Sequence, residues 1–402
     1  MEQPLAVMFG AGNVGRGFLG QLFTESGYRV TFVDVVRPLV EALNRRGAYT
    51  LQLVTDEAVQ EYTITNVSAL FPSDTEAVAG ALASCAIAAT AVGVNALPKI
   101  APVVAAGLER RRLAGEADPL NIIICENLKG APDLFAEMLR PYLSEEGRQY
   151  LEEQVGLVDA VISRMVPIMP PEIAERDPSF IMAEPYKILP VNRLRFKGRI
   201  PEIVGMEPKD NFEAYVDRKL YTHNAGHAMH AYLGYLRGYT YGYEALGDPV
   251  ILKLTRQAMH ESSEALIARH GFARSDQYAH VEDLLRRFRN HRLGDTVFRL
   301  GRDPLRKLGP QDRLVGAARL VVETGGVPDA LTWGIAAALL FDPAEDPAAM
   351  QLQELLRSAG LAETLRRVSG IEPGSPLSAM IAERYEHLKQ GCWPALAAQA
   401  AD

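Results

Sequence analysis

Leu5-Ala-Val-Met-Phe9-Gly10-Ala11-Gly12-Asn13-Val14-Gly15-Arg16-Gly17 is the stretch that decides the fold. A short apolar run enters a loop spelling G-x-G-x-x-G. Apolar residues then recur at helical spacing (Phe18, Leu19, Leu22, Phe23) until Gly27. Arg29-Val-Thr-Phe-Val-Asp34 reads as a second strand ending in an acid. The glycine pattern alone is weak. Strand, loop, helix, strand and acid in that order predict a Rossmann-type dinucleotide-binding unit. Gly10 permits the tight turn, Gly12 admits a pyrophosphate to the backbone, and Gly15 lets helix pack close on strand. The helix N-terminus then faces the negative charge. Phe9, Ala11, Asn13 and Val14 complete the expected cofactor loop, and Arg16 with Gly17 is expected to add a second approach to phosphate. Asp34 should accept from the adenosine ribose and repel a 2′-phosphate, which favours NAD over NADP. Arg37 is the residue that would pair with such a phosphate.

Leu51-Gln-Leu-Val54 and Tyr62-Thr-Ile-Thr65 alternate as a hairpin or edge strands would. Cys85 to Val92 is a continuous apolar run ending at Gly93, as expected of a buried parallel strand. Its end places Thr90, Val92 and Gly93 where cofactor is expected. Ile100 to Leu113 reads as a helix. Asn121-Ile-Ile-Ile-Cys125 is another buried strand, followed by Glu126-Asn127. Ligands of open α/β sheets bind beyond the carboxyl ends of strands, so Asn127 either meets the reacting half of the site or caps the helix near Pro132. A last strand is expected at Val158–Ile162. Prolines then crowd the segment from Pro167 to Pro208, suiting crossing segments between domains. We place the boundary near residue 200, with a Rossmann-type α/β domain over 1–200 and a mainly all-α domain over 201–402. Helices are expected at about 211–238, 247–270, 277–289, 311–323, 328–341, 346–358 and 377–390, with a frayed tail from Ala395.

A chain of 402 residues favours two or three domains. A net charge of -8 argues against a general nucleic-acid binder. No apolar stretch approaches the ~18–20 residues needed to span a bilayer. Met1-Glu-Gln-Pro4 leads straight into the first strand, without the pattern of a secretory leader. Cys85, Cys125 and Cys392 form no metal or redox motif, so a cytoplasmic protein is expected, as a monomer or small homo-oligomer.

Chemistry concentrates in Lys219-Leu-Tyr-Thr-His223-Asn224-Ala-Gly-His227. At about 100° per residue, Lys219, His223, His227 and His230 share one helical face. A dehydrogenase needs a proton acceptor at the reacting oxygen and donors for the charge that develops there. Lys219 can be that base, Asn127 and Asn224 the donors, and His227 can orient substrate or lysine. Read alone, Lys219 is an ordinary exposed helix lysine. His223, His227 and His230 have zinc-compatible spacing, but no glutamate or cysteine joins them, and no metal is expected. Arg286-Arg287-Phe-Arg289 and Arg302-Asp-Pro-Leu-Arg306-Lys307, with Arg313 beyond, are either solvated helix faces or phosphate ligands. Arg306 and Lys307 are the phosphate candidates.

The glycine loop, Thr90-Ala-Val-Gly93, the strand ending in Glu126-Asn127, Arg218 to Ala228, Pro304-Leu-Arg-Lys-Leu308, Asp312-Arg-Leu314 and Gly334–Ala338 occur in that order. Together they resemble the polyol-specific long-chain dehydrogenases, the mannitol dehydrogenase family, over nearly the whole chain. The resemblance implies zinc-independent, NAD-linked interconversion of a polyol phosphate and a ketose phosphate, with mannitol 1-phosphate and fructose 6-phosphate as the expected pair. It implies Lys219 as general acid/base and Asn127 with Asn224 as the oxyanion hole. Two stretches depart from the family's usual pattern. Ile162-Ser163 stands where Val-Asp is usual, and Tyr186 to Arg195 lacks its aromatic and acidic character. A relative acting on an unphosphorylated polyol or a hexuronate is the alternative enzyme, and a non-catalytic NAD sensor the alternative class.

Overall fold

The structure, a computed structural model, describes residues 3–395. The tail expected to fray lies outside them beyond Ala395. Two compact units meet where Phe212 ends the first and Glu213 begins the second. The expected boundary near 200 falls short of this because β10 (Leu189–Asn192) pairs in parallel with β11 (Met206–Lys209). That pairing keeps the proline-dense segment in the first unit.

The first unit is built on six parallel strands: β1 (Leu5–Phe9), β2 (Arg29–Val33), β5 (Val67–Leu70), β6 (Ile87–Thr90), β7 (Leu120–Ile124) and β8 (Val155–Asp159). Their order is β5-β2-β1-β6-β7-β8. Strand order reverses beside β1, so the crevice at its carboxyl end is the topological switch point. β1 is buried on both faces. Ala6 and Met8 join one apolar cluster, while Leu5, Val7 and Phe9 join the other, as the two-residue side-chain period requires. β8 begins earlier than the expected Val158–Ile162. Val155 and Leu157 fill one cluster and Val158 the other, so the strand is complete before Ile162. The alternating segments form the expected hairpin, β3 (Ala48–Val54) antiparallel to β4 (Val59–Thr65). With β9 (Ile181–Ala183) on the far edge of β3, they make a separate three-stranded sheet.

The second unit is helical. Its centre is Asp329–Leu339, buried on every side from Ala330 to Leu339, which marks it as the core element the other helices wrap. Gly334 lets Met229 of helix Ala225–Leu236 approach closely, since a Cβ there would stand 2.1 Å from the Met229 sulfur. Helix Pro249–His270 starts where Asp248 accepts from the backbone N–H groups of Val250 and Ile251, and stops at Gly271, whose φ is +72°. The helix expected over 346–358 runs on to Thr364 across a break at Gly360. Among the described residues no helix is long and apolar enough to cross a membrane.

Candidate active site

In the glycine loop, two of the three glycines are demanded by the protein's own packing. A Cβ on Gly10 (φ +94°) would stand 2.6 Å from the Ala91 carbonyl oxygen, and one on Gly15 would stand 2.0 Å from the Gly10 oxygen. Gly12 differs, because nothing lies within 4 Å of its missing side chain. It is the position that leaves room for a ligand against the backbone, which is what a pyrophosphate requires. The Ala11 N–H donates to Asp34 Oδ2 at 2.7 Å, and the Val36 N–H donates to Oδ1 at 2.9 Å. Asp34 therefore straps the loop to the end of β2. Each of its oxygens keeps a second lone pair for a ribose hydroxyl. Arg37 is exposed, pairs with Glu41 at 3.5 Å and lies over the Phe71 ring. Phe9 and Ala11 are fully buried, so only their backbone can face a cofactor. Asn13 points its amide nitrogen at the Val166 and Pro167 carbonyls, each 3.4 Å away, and Val14 packs on the core.

Arg16 corrects the expectation of a second phosphate contact. Its Nε donates to the Ala11 oxygen at 2.5 Å, and its Nη1 to the Pro178 and Phe180 oxygens at 3.0 and 3.2 Å. Tyr49 donates its hydroxyl to the Arg16 carbonyl. The guanidinium is buried and committed to carbonyls, tying the loop to residues 178–180. Gly17 likewise serves packing, since a Cβ there would press on Val166 and Ile181.

At the ends of β6 and β7, Thr90 Oγ1 donates to Glu126 Oε2 at 2.6 Å and the Val92 N–H donates to Oε1 at 3.0 Å. Glu126 is buried. Desolvation raises its pKa, opposed by those two hydrogen bonds. It holds the loop that runs to Gly93 (φ +85°) and directly precedes exposed Asn127. The following helix, Ala131–Leu139, is capped by Gly130 and not by Asn127. In the sequence Glu126 is signalled only as an acid ending a buried strand, beside a strand that ends in threonine.

In the second unit, helix Phe212–Arg218 passes through a π-helical turn, Lys219–Asn224, into helix Ala225–Leu236. Such turns replace the i→i+4 bonding with i→i+5 and concentrate at functional sites. The turn breaks the regular face expected for Lys219, His223, His227 and His230. Lys219 is half-buried, and desolvation, then the charge of Arg313, lowers its pKa to about 8. Asn224 is half-buried at the end of the turn, and its side chain makes no hydrogen bond among the described residues. His227 stacks on Phe288 with centroids 4.0 Å apart, and His223 and His230 meet the same ring edge-on or tilted. Burial holds the pKa of His223 and His227 well below the ordinary imidazole value, helped by neighbouring His and Arg charges. His230 falls to about 4 and its Nδ1 lies 2.8 Å from the Gly226 oxygen. These are neutral, aromatic-packed rings. Among the described residues no group of three His, Cys, Asp or Glu is placed to hold a metal.

The two phosphate candidates part company. Arg306 is exposed, with its Nε on Asp303 at 2.9 Å and an Nη on Asp312 at 3.5 Å. Lys307 turns inward and donates to the Leu300 and Arg302 carbonyls. Burial and the charges of Arg313 and Arg306 bring its pKa to about 7. Arg286 and Arg287 both pair with Asp283. Arg313 is buried, and its Nε donates to Asp312 Oδ1 at 2.7 Å.

The sheet order, glycine loop and acid-terminated β2, followed by a helical unit carrying a half-buried lysine, define a two-unit protein of the Rossmann-plus-helical class. The model of the mannitol dehydrogenase Rossmann domain matches residues 4–205, and that of the mannitol dehydrogenase C-terminal domain matches residues 211–389. The chain belongs to the mannitol dehydrogenase family. It is 38% identical over 387 residues to the mannitol-1-phosphate 5-dehydrogenase of Geobacillus thermodenitrificans, covering 96% of this chain and 99% of that one. It is 39% identical over 386 residues to the mannitol-1-phosphate 5-dehydrogenase of Brevibacillus brevis, covering 96% and 98%. The ternary complex of Pseudomonas fluorescens mannitol 2-dehydrogenase with NAD and D-mannitol superposes with a TM-score of 0.75, at 18% identity, over 97% of this chain and 92% of that one. At that identity the likeness speaks for the fold.

Proposed function

We propose that this protein is an NAD-dependent dehydrogenase interconverting mannitol 1-phosphate and fructose 6-phosphate. The observation that carries the reading is Lys219: a half-buried lysine in a π-helical turn with its pKa brought to about 8, in a chain whose relatives bear that activity in their names. The open space at Gly12 and the strapped Asp34 fit a dinucleotide, with Asp34 favouring an unphosphorylated ribose. Bound NAD supplies the hydride acceptor. Neutral Lys219 takes the proton of the substrate hydroxyl at Nζ, and in the reverse direction its ammonium returns it. Asn224, with its amide uncommitted among the described residues, and Asn127 donate to the oxygen as charge develops. His227, neutral and stacked on Phe288, orients the substrate as a hydrogen-bonding group without adding charge.

Cys85, Cys125 and Cys392 are unbridged, which agrees with a cytoplasmic setting. A net charge of -8 agrees with a small-molecule partner and not a nucleic acid. The test is NADH oxidation with a panel of ketoses, ketose phosphates and hexuronates, using NADPH as the paired cofactor control. Fructose 6-phosphate with NADH is expected to give the highest kcat/KM. A higher value with free fructose or a hexuronate overturns the phosphate assignment, and no signal with any of them points to a sensor. A chelator is expected to leave turnover intact, because Lys219 supplies the proton acceptor.

A further inference from the structure

We infer that Arg313 is the residue that recognises the phosphate of the substrate, through the two terminal nitrogens of its guanidinium. This rests on the reading of the substrate as a polyol phosphate and names the group that would select it. Arg313 is 9% exposed, yet its side chain has one partner among the described residues: Nε donates to Asp312 Oδ1 at 2.7 Å. Nη1 and Nη2 reach no acceptor among the described residues. Donors without a protein acceptor are left for solvent or for a ligand. Two other buried arginines turn terminal nitrogens onto the chain's own carbonyls. Arg16 gives Nη1 to the Pro178 and Phe180 oxygens, and Arg111 gives Nη1 to the Ala83 and Cys85 oxygens and Nη2 to the Asp118 oxygen.

Asp312 sets the direction of the fork. Its Oδ1 accepts from both the N–H and the Nε of Arg313, which fixes one edge of the guanidinium and leaves the other for a ligand. The surroundings place Arg313 beside the turn that carries the proposed base. Tyr221, in the π-helical turn with Lys219, donates to the Gln311 oxygen at 3.4 Å. Its ring lies 2.7 Å from where a Cβ on Gly316 would stand, so the 311–316 segment packs directly on the turn. The positive charge of Arg313 is felt at Lys219, His227 and Lys307. A surplus of buried cations calls for an anion, and a phosphate monoester presents paired oxygens at the spacing a guanidinium fork matches bidentately. Arg306 is already held between Asp303 and Asp312, and Lys307 on carbonyls, so neither offers an equivalent edge.

The test uses R313M, which removes the charge, and R313K, which keeps charge but removes the fork. Inorganic phosphate is titrated calorimetrically into each protein, and kcat/KM is measured for fructose 6-phosphate and for fructose. Phosphate binding should be lost in R313M and weakened in R313K. The fall in kcat/KM for fructose 6-phosphate should exceed that for fructose by at least about 10-fold, as expected for charge-assisted hydrogen bonds. Equal falls on both substrates, or phosphate binding by both variants as by wild type, overturn the assignment. A wild type that binds phosphate through Arg313 but turns over no polyol phosphate would refute the proposed reaction while leaving the anion site standing.

Discussion

Thr90 and Glu126 join the carboxyl ends of β6 and β7 through a 2.6 Å hydrogen bond between two buried side chains. The same carboxylate holds the Val92 N–H, so one acid sets the course of the loop from Thr90 to Gly93 and stands next to Asn127. Glu126→Ala is expected to weaken NADH binding about 10-fold, the scale of a lost hydrogen bond to a charged group. Fluorescence titration of NADH checks this without turnover. Adding Thr90→Val to Glu126→Ala should cost little more than Glu126→Ala alone, because the Thr90 bond is already lost with the carboxylate. Additive losses would show that the two residues act separately.

Lys219→Ala is expected to lower kcat by about 10²–10⁴-fold, the usual worth of general acid/base catalysis, with NADH affinity nearly unchanged. The pH profile carries the sign. Polyol oxidation needs the neutral amine, so its kcat/KM should rise with pH and level off above about 8. Ketose reduction needs the ammonium, so it should be level below about 8 and fall above it. Profiles without a group near that value would assign the proton transfer elsewhere.

The first unit was legible because its signals are local. The glycine loop, the helical spacing of Phe18 to Phe23 and the acid at Asp34 lie within one β-α-β run, and the buried strands announce themselves as apolar blocks. What escaped depends on where a side chain turns after the chain has folded. Arg16 follows a phosphate motif, but Tyr49 and the 178–180 carbonyls claim it from far along the sequence. Glu126 and Thr90 are 36 residues apart and became a pair only when β6 met β7. The π-helical turn at Lys219 has no periodic signature, since five or six residues are too few to displace a 3.6-residue pattern. Lys307 reads as a surface lysine beside Arg306 until the short Pro304–Lys307 helix turns it under the loop.

Arg16→Met is expected to act on stability. Its loss leaves the Ala11, Pro178 and Phe180 carbonyls without their donor and frees the glycine loop from residues 178–180. Unmet buried hydrogen-bond groups place the cost at about 2–4 kcal/mol. Urea denaturation measures it. A variant with wild-type stability and a large loss of NADH affinity would restore Arg16 as a phosphate ligand.

Glu261 supplies a prediction remote from the substrate chemistry. From helix Pro249–His270 it accepts the Ala330 and Leu331 N–H groups at 2.8 and 3.1 Å, capping the central helix Asp329–Leu339 from outside. Burial nevertheless dominates and raises its pKa from 4.5 to about 7, with the hydrogen bonds opposing. A carboxyl raised in the fold binds its proton more tightly there than in the unfolded chain. Its contribution to stability is therefore complete below pH 4.5 and is lost as pH rises through about 7. Glu261→Gln carries no charge at any of these pH values. The Tm of the wild type relative to this variant should fall by a few °C between about pH 4.5 and pH 7.5. Scanning calorimetry across that range decides it. A difference that stays flat would mean the cap is ionised throughout, with the two backbone donors outweighing desolvation.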